Sequence, residues 1–144
     1  MAEGFNPPGS WQPQGRGFSM GVVQHPGRMI HLTGQVAWTE AEEIVGPGDV
    51  RAQTHQCFKN IQAVLAAVGG RLEDIVAVTT YFTEYDHLPI IQAVRDEYFP
   101  AENAPVSTSV RVAGLGHPDF LVELTPIAVV PEERFVAPGS SPNP

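Results

Sequence analysis

Glu123 is the residue in this 144-residue chain that most suggests chemistry. It interrupts Phe120-Leu121-Val122-Glu123-Leu124, an otherwise apolar run. A carboxylate held on a strand inside a cleft can serve as a general acid or base. The same carboxylate on a solvated strand face has no such role, and the pattern leaves both readings open. Arg111 is a rival explanation, because it could pair with Glu123 across strands. Gly34, inside an apolar stretch, is either a bulge or a point where a ligand meets bare backbone. Cys57 is the only cysteine, so an intrachain disulfide and a Cys-based zinc site are excluded. Its place in a helical apolar pattern predicts a buried thiol that behaves as a small hydrophobe. His25, His31, His55, His87 and His117 are scattered without the spacing of metal ligands, so no metal is expected. The sequence contains no P-loop, dinucleotide fingerprint or nucleophile elbow.

The elements that must position these residues are legible in the pattern. Phe18 to Val23 and Arg28 to Val36 read as two strands joined through the Gln24-His25-Pro26-Gly27 turn, a predicted hairpin. Asp49 is suited to cap a helix. Val50, Thr54, Cys57, Ile61, Val64, Leu65 and Val68 give that helix an apolar stripe, and Gly69-Gly70 ends it. Ile75 to Thr83 is β-branched and aromatic, as in a central strand. Asp86 and Pro89 open a second helix with Ile90, Ile91, Val94 and Tyr98 on its buried face, and Phe99-Pro100 closes it. Val106 to Val112 alternates as a strand. Phe120 to Val130 is the last, with Pro126 predicted to lie at an edge or a bulge. Residues 1–17, rich in Gly, Pro and Gln, read as an irregular arm. Residues 131–144 read as a Pro/Ser-rich tail with little capacity for helix or sheet. Residues 18–130 are then a single domain.

The order ββ, α, β, α, ββ predicts an α/β (α+β) domain. Its mixed sheet has about six strands and both helices on one face. The other face would be bare, and oligomerisation is the simplest cover. Eight Lys and Arg against sixteen Asp and Glu give a net charge of −8, which argues against a nucleic-acid partner. No apolar run is long enough to cross a bilayer, and no secretion signal stands at the start. The expected location is the cytoplasm, without membrane attachment.

Several stretches together resemble the RidA/YjgF reactive-intermediate deaminases. They are Phe18-Ser19-Met20-Gly21-Val22, Leu32-Thr33-Gly34-Gln35-Val36, Gln53, Asn60-Ile61, Leu72-Glu73-Asp74-Ile75-Val76, Tyr98-Phe99-Pro100, Ala104-Pro105 and Val122 to Val129. The resemblance implies a chorismate-mutase-like fold and a homotrimer with small-molecule clefts between subunits. In deaminating members the cleft takes an imine or enamine, adds water and releases ammonia without a metal or organic cofactor. By position, Glu123 matches the acidic residue that orients or activates the water, and Thr33-Gly34 the backbone lining the pocket. Phe18 stands where many members have tyrosine, Ser109 where many have cysteine and Gln92 where asparagine is common. Ser107 occupies the place of the arginine that grips the substrate carboxylate. A hydroxyl offers one neutral hydrogen bond where a guanidinium offers a bidentate, charge-assisted one. Efficient 2-imino acid deamination is therefore not expected, unless Arg16, Arg95 or Arg111 supplies a cation from another direction. Two functions remain: hydrolysis, deamination or tautomerisation of a small imine, enamine or related carbonyl compound, or metabolite binding without catalysis.

Overall fold

The computed structural model describes residues 2–139. Its strands are β1 Ala2–Phe5, β2 Gly21–Gln24, β3 Arg28–His31, β4 Ile75–Phe82, β5 Val106–Arg111 and β6 Val122–Val130. The helices are α1 Val50–Ala66 and α2 Leu88–Tyr98. The Asp49 carboxylate accepts from the Ala52 amide at 3.0 Å and starts α1 as expected. Val50, Cys57, Phe58, Ile61 and Leu65 then bury one face of α1 against the sheet, together with Ile91 and Val94 of α2.

Among the described residues there are six strands and two α-helices, but the strands form two sheets. One is a mixed four-stranded sheet in the order β3-β6-β4-β5; the other pairs β1 with β2. β4 and β5 are parallel, while β6 runs antiparallel to both β3 and β4. The predicted hairpin is corrected here. The chain turns at Gln24–Gly27, but β2 pairs with β1 and β3 pairs with β6. The irregular arm is corrected with it. Ala2–Phe5 is a strand, in register with Gly21–Gln24. Backbone hydrogen bonding outweighed a Gly-rich composition there.

Pro126 is neither at a sheet edge nor opposite the one irregularity, which lies between Ile75 and Ala77 of β4. It pairs with Val78 in an interior strand. Its carbonyl accepts from the Leu32 amide, just beyond the last β3–β6 pair at His31 and Ile127. A residue's N and O point the same way along a strand, so the missing donor faces a ladder that is already ending.

Cross-strand partners share a face, which assigns the sheet's two sides. Val78, Thr80 and Phe82 of β4 align with Ser107, Ser109 and Arg111 of β5, and with Pro126, Leu124 and Val122 of β6. This is the side covered by the helices. The opposite side carries Met29 and His31, Thr79 and Tyr81, Thr108 and Val110, and Glu123, Thr125 and Ile127. No described helix covers it, and Met29 and Val110 are 52% and 40% exposed. None of the described helices is long and apolar enough to cross a membrane.

Candidate active site

The sequence-predicted residues fall into two groups. The first is Thr33, Gly34 and Glu123. The Gln35 amide donates to the Leu124 carbonyl at 2.8 Å, and the Leu124 amide donates back at 3.0 Å. This double bridge lays Gly34 beside Glu123. A Cβ on Gly34 would stand 2.6 Å from Glu123 Oε2 and 2.7 Å from its carboxyl carbon. A side chain there fits only if the Glu123 carboxylate moves aside, so backbone and carboxylate pack directly against each other. Asn60 of α1 holds the segment from outside, donating to the Val36 and Trp38 carbonyls at 2.9 Å each. The Gln35 side chain donates to the carbonyl of Thr33, whose own side chain is exposed.

Arg111 does not explain Glu123. β4 lies between their strands, and Arg111 points to the helix side. It donates instead to the Thr83 carbonyl at 3.0 Å and lies over the Tyr85 ring. Among the described residues no cation pairs with the half-buried Glu123 carboxylate. Its negative charge is felt through the sheet by Cys57. Burial first, and then Glu123, pushes that thiol up to about 12. Cys57 is fully buried, with Sγ 4.0 Å from the Val122 carbonyl, as a structural thiol should be. At mildly alkaline pH such a group has roughly a thousandfold less thiolate than an ordinary cysteine. Iodoacetamide should therefore label Cys57 only after denaturant unfolds the chain.

The second group lies at the β5 edge, on the helix side. Ser107 and Ser109 sit opposite Val78 and Thr80 in the parallel ladder. Ser109 is exposed, whereas the Ser107 hydroxyl is buried and has no hydrogen-bond partner. Phe18 stacks on Trp11 of the arm, with centroids 5.9 Å apart, and so closes this layer from above. Gln92 is half-buried on α2, one turn before Arg95.

Arg95 belongs to this group and was under-read in the sequence. It is fully buried, the bulkiest fully buried side chain among the described residues. Nε donates to the Arg16 carbonyl at 2.9 Å, and Nη1 donates to Thr80 Oγ1 at 3.1 Å. The guanidinium lies 5.5 Å from the Phe18 ring centroid. Nη2 has no partner. Desolvation pushes this guanidinium down to about 10, against a small opposing pull from Asp96, so it remains a cation at neutral pH. The signal was available: position 95 follows Ile91 by four residues, so a charge interrupts an apolar helical stripe.

The fold is shared with known proteins. A family model described as Endoribonuclease L-PSP matches residues 13–130. The chain belongs to the RidA/YjgF family. Its Rid-type fold is shared with YyfB of Yersinia pestis, a conserved Rid-family protein of unknown function. That match has a TM-score of 0.84 and 30% identity, and covers 90% of this chain and 98% of the other. The 3-aminoacrylate deaminase RutC of Acinetobacter baylyi is 32% identical over 102 residues, 71% of this Rid chain and 79% of that protein. A RutC family protein of Pyrococcus abyssi is 36% identical over 103 residues, again 71% of this chain and 79% of its own.

Proposed function

We propose that this Rid protein is a homotrimer that acts on a small reactive imine, enamine or related carbonyl metabolite, in clefts between its subunits. One observation carries the reading. The two groups of site residues lie on opposite faces of one sheet, Glu123 with Gly34 on the uncovered side and Ser107 with Ser109 on the helix side. A single copy cannot bring both groups to one small molecule. A second copy whose β5 edge meets the first copy's uncovered face can do so, and closed cyclic symmetry then repeats the cleft. The exposed Met29 and Val110 on that face supply apolar surface for the contact. The match to an enzyme named for deaminating 3-aminoacrylate, an enamine, supports the substrate class.

The chemistry needs one proton acceptor. Glu123 takes a proton from water as the oxygen adds to the C=N carbon. Glu123 passes that proton to the nitrogen, giving the tetrahedral carbinolamine; it then takes the hydroxyl proton and hands it to the amine as the C–N bond breaks, leaving the carbonyl and ammonia. With serine at position 107, a 2-imino acid lacks the family's strand-borne guanidinium, and its deamination by that route is slow.

Sedimentation tests the assembly directly. The expected mass is three times the 15.5 kDa chain. A stable, folded monomer would remove the composite cleft and the reading with it. Saturable ligand stabilisation of the trimer without product release would instead mark a binding protein.

A further inference from the structure

The layer between β5, α2 and the N-terminal arm holds an unusual set of groups. Arg95 is a fully buried cation that forms no salt bridge among the described residues, the adjacent Asp96 acting on it only as a neighbouring charge. Its Nη2 and the Ser107 hydroxyl are both buried and both lack a partner. The register places them on the same face of the β4–β5 pair, about two strand residues apart. Arg95 Nη1 holds Thr80 Oγ1, Thr80 sits opposite Ser109, and Ser107 is the next residue of β5 on that same face. Buried polar groups of folded proteins are almost always satisfied, and a buried charge is almost always paired. Two orphan donors, one cationic, thus converge on one layer. The complement they lack is an anion with at least two acceptor oxygens.

We propose that Arg95 is the carboxylate anchor of this protein, holding a small organic monocarboxylate together with the Ser107 hydroxyl. The cation missing from position 107 is supplied from α2. Entry is from the β5 edge, which no described strand covers and where Ser109 is exposed. The arm completes the holder. The Arg16 carbonyl fixes Nε, and the Phe18 ring covers the guanidinium. Gly17 lets the arm pack this closely, since a Cβ there would stand 2.7 Å from the Arg95 carbonyl carbon and 2.9 Å from its Cγ. The assignment deepens the preceding reading by naming the substrate's charged group, and it rests on that reading for the cleft at the β5 edge. It also separates two properties that one strand arginine would combine. The anion is retained, but it is gripped from a helix, so its orientation toward Glu123 changes.

The test is binding of pyruvate, followed by thermal shift and calorimetry at constant ionic strength, with methyl pyruvate as the uncharged control. Wild type and Glu123→Gln should show saturable stabilisation by pyruvate and none by the ester. Arg95→Met should weaken pyruvate binding by about tenfold or more, and Arg95→Lys, a point charge without the fork, should fall between. Ser107→Ala, which removes only a hydroxyl, should cost roughly three- to tenfold and keeps the result readable should Arg95→Met fail to fold. Equal response to acid and ester, pyruvate affinity unchanged in Arg95→Met, or unchanged affinity in Ser107→Ala where Arg95→Met does not fold, overturns the assignment. Arg95-dependent binding without turnover of any imine overturns the catalytic reading alone. Turnover indifferent to a carboxylate does the reverse.

Discussion

Glu123→Gln will lower the proposed ammonia release from a small imine by about 10²–10⁴-fold while leaving the oligomeric state unchanged. The amide has the shape of the carboxylate and can still hydrogen-bond water, but it cannot accept a proton. The three atoms nearest a Gly34 Cβ all belong to Glu123, and Cys57 is held as a thiol behind the sheet. The assay generates imines from amino acids with an amino-acid oxidase and follows ammonia. Undiminished release by the glutamine variant would remove Glu123 from the mechanism. Gly34→Ala provides a companion that leaves the carboxylate in place chemically. The new Cβ would press on Glu123 Oε2 from 2.6 Å, and a flexible side-chain end is all that must move. Gly34 is not among the positive-φ glycines, so the backbone carries no strain on substitution. Turnover should fall at least tenfold with little change in melting temperature, because the substitution displaces the proposed proton acceptor rather than the core.

How far the sequence discloses this molecule depends on whether the relevant forces are local. α1 was legible because its cap, its apolar spacing and its terminating Gly69 all act within a turn of the helix. β4 was legible because an uncharged, mostly β-branched and aromatic run has few other fates. The partner of β2 was not legible. Strand pairing is a long-range choice, and Ala2–Phe5 competes for the same edge from outside the patterned region. The site divides in the same way. Glu123 stood out as a charge in an apolar run, and Gly34 as a glycine in a strand-like one. Their contact, made by the Gln35–Leu124 bridge, is tertiary and leaves no local trace. Arg95 carried the same signal as Glu123, a charge inside an apolar stripe, but on a helix. There a single arginine is easily assigned to the solvated flank, because side chains one position apart differ by 100° around the axis. Its burial depends on Gly17 and Phe18 folding over it, which nothing within α2 encodes.

The C-terminal residues supply the second large effect. Composition alone assigns them to a tail without structure of its own, yet residues up to Val136 pack back on the body. Residues 140–144 lie outside the described chain. Arg134 grips the fully buried Asp74 through two bonds, Nη2 to Oδ1 at 2.5 Å and Nη1 to Oδ2 at 3.0 Å, and Nη1 also donates to the Gly69 carbonyl at 2.8 Å. The Val136 amide closes on the Val68 carbonyl at 3.0 Å. The carboxylate raises the pKa of Arg134, as a favourable pair requires. Arg134→Ala will therefore destabilise the protein by about 3 kcal/mol, because a buried carboxylate loses its cation while remaining buried. For a chain of this size that corresponds to a melting temperature lower by roughly 10 °C. The double variant Asp74→Asn/Arg134→Ala should recover part of the loss, since a neutral amide in the same place needs no cation and can still accept from the Arg71 amide. Recovery in the double variant identifies charge burial as the cause. A loss below about 1 kcal/mol in Arg134→Ala would mean that the pair behaves as a surface ion pair, with the tail contributing nothing to the folded unit.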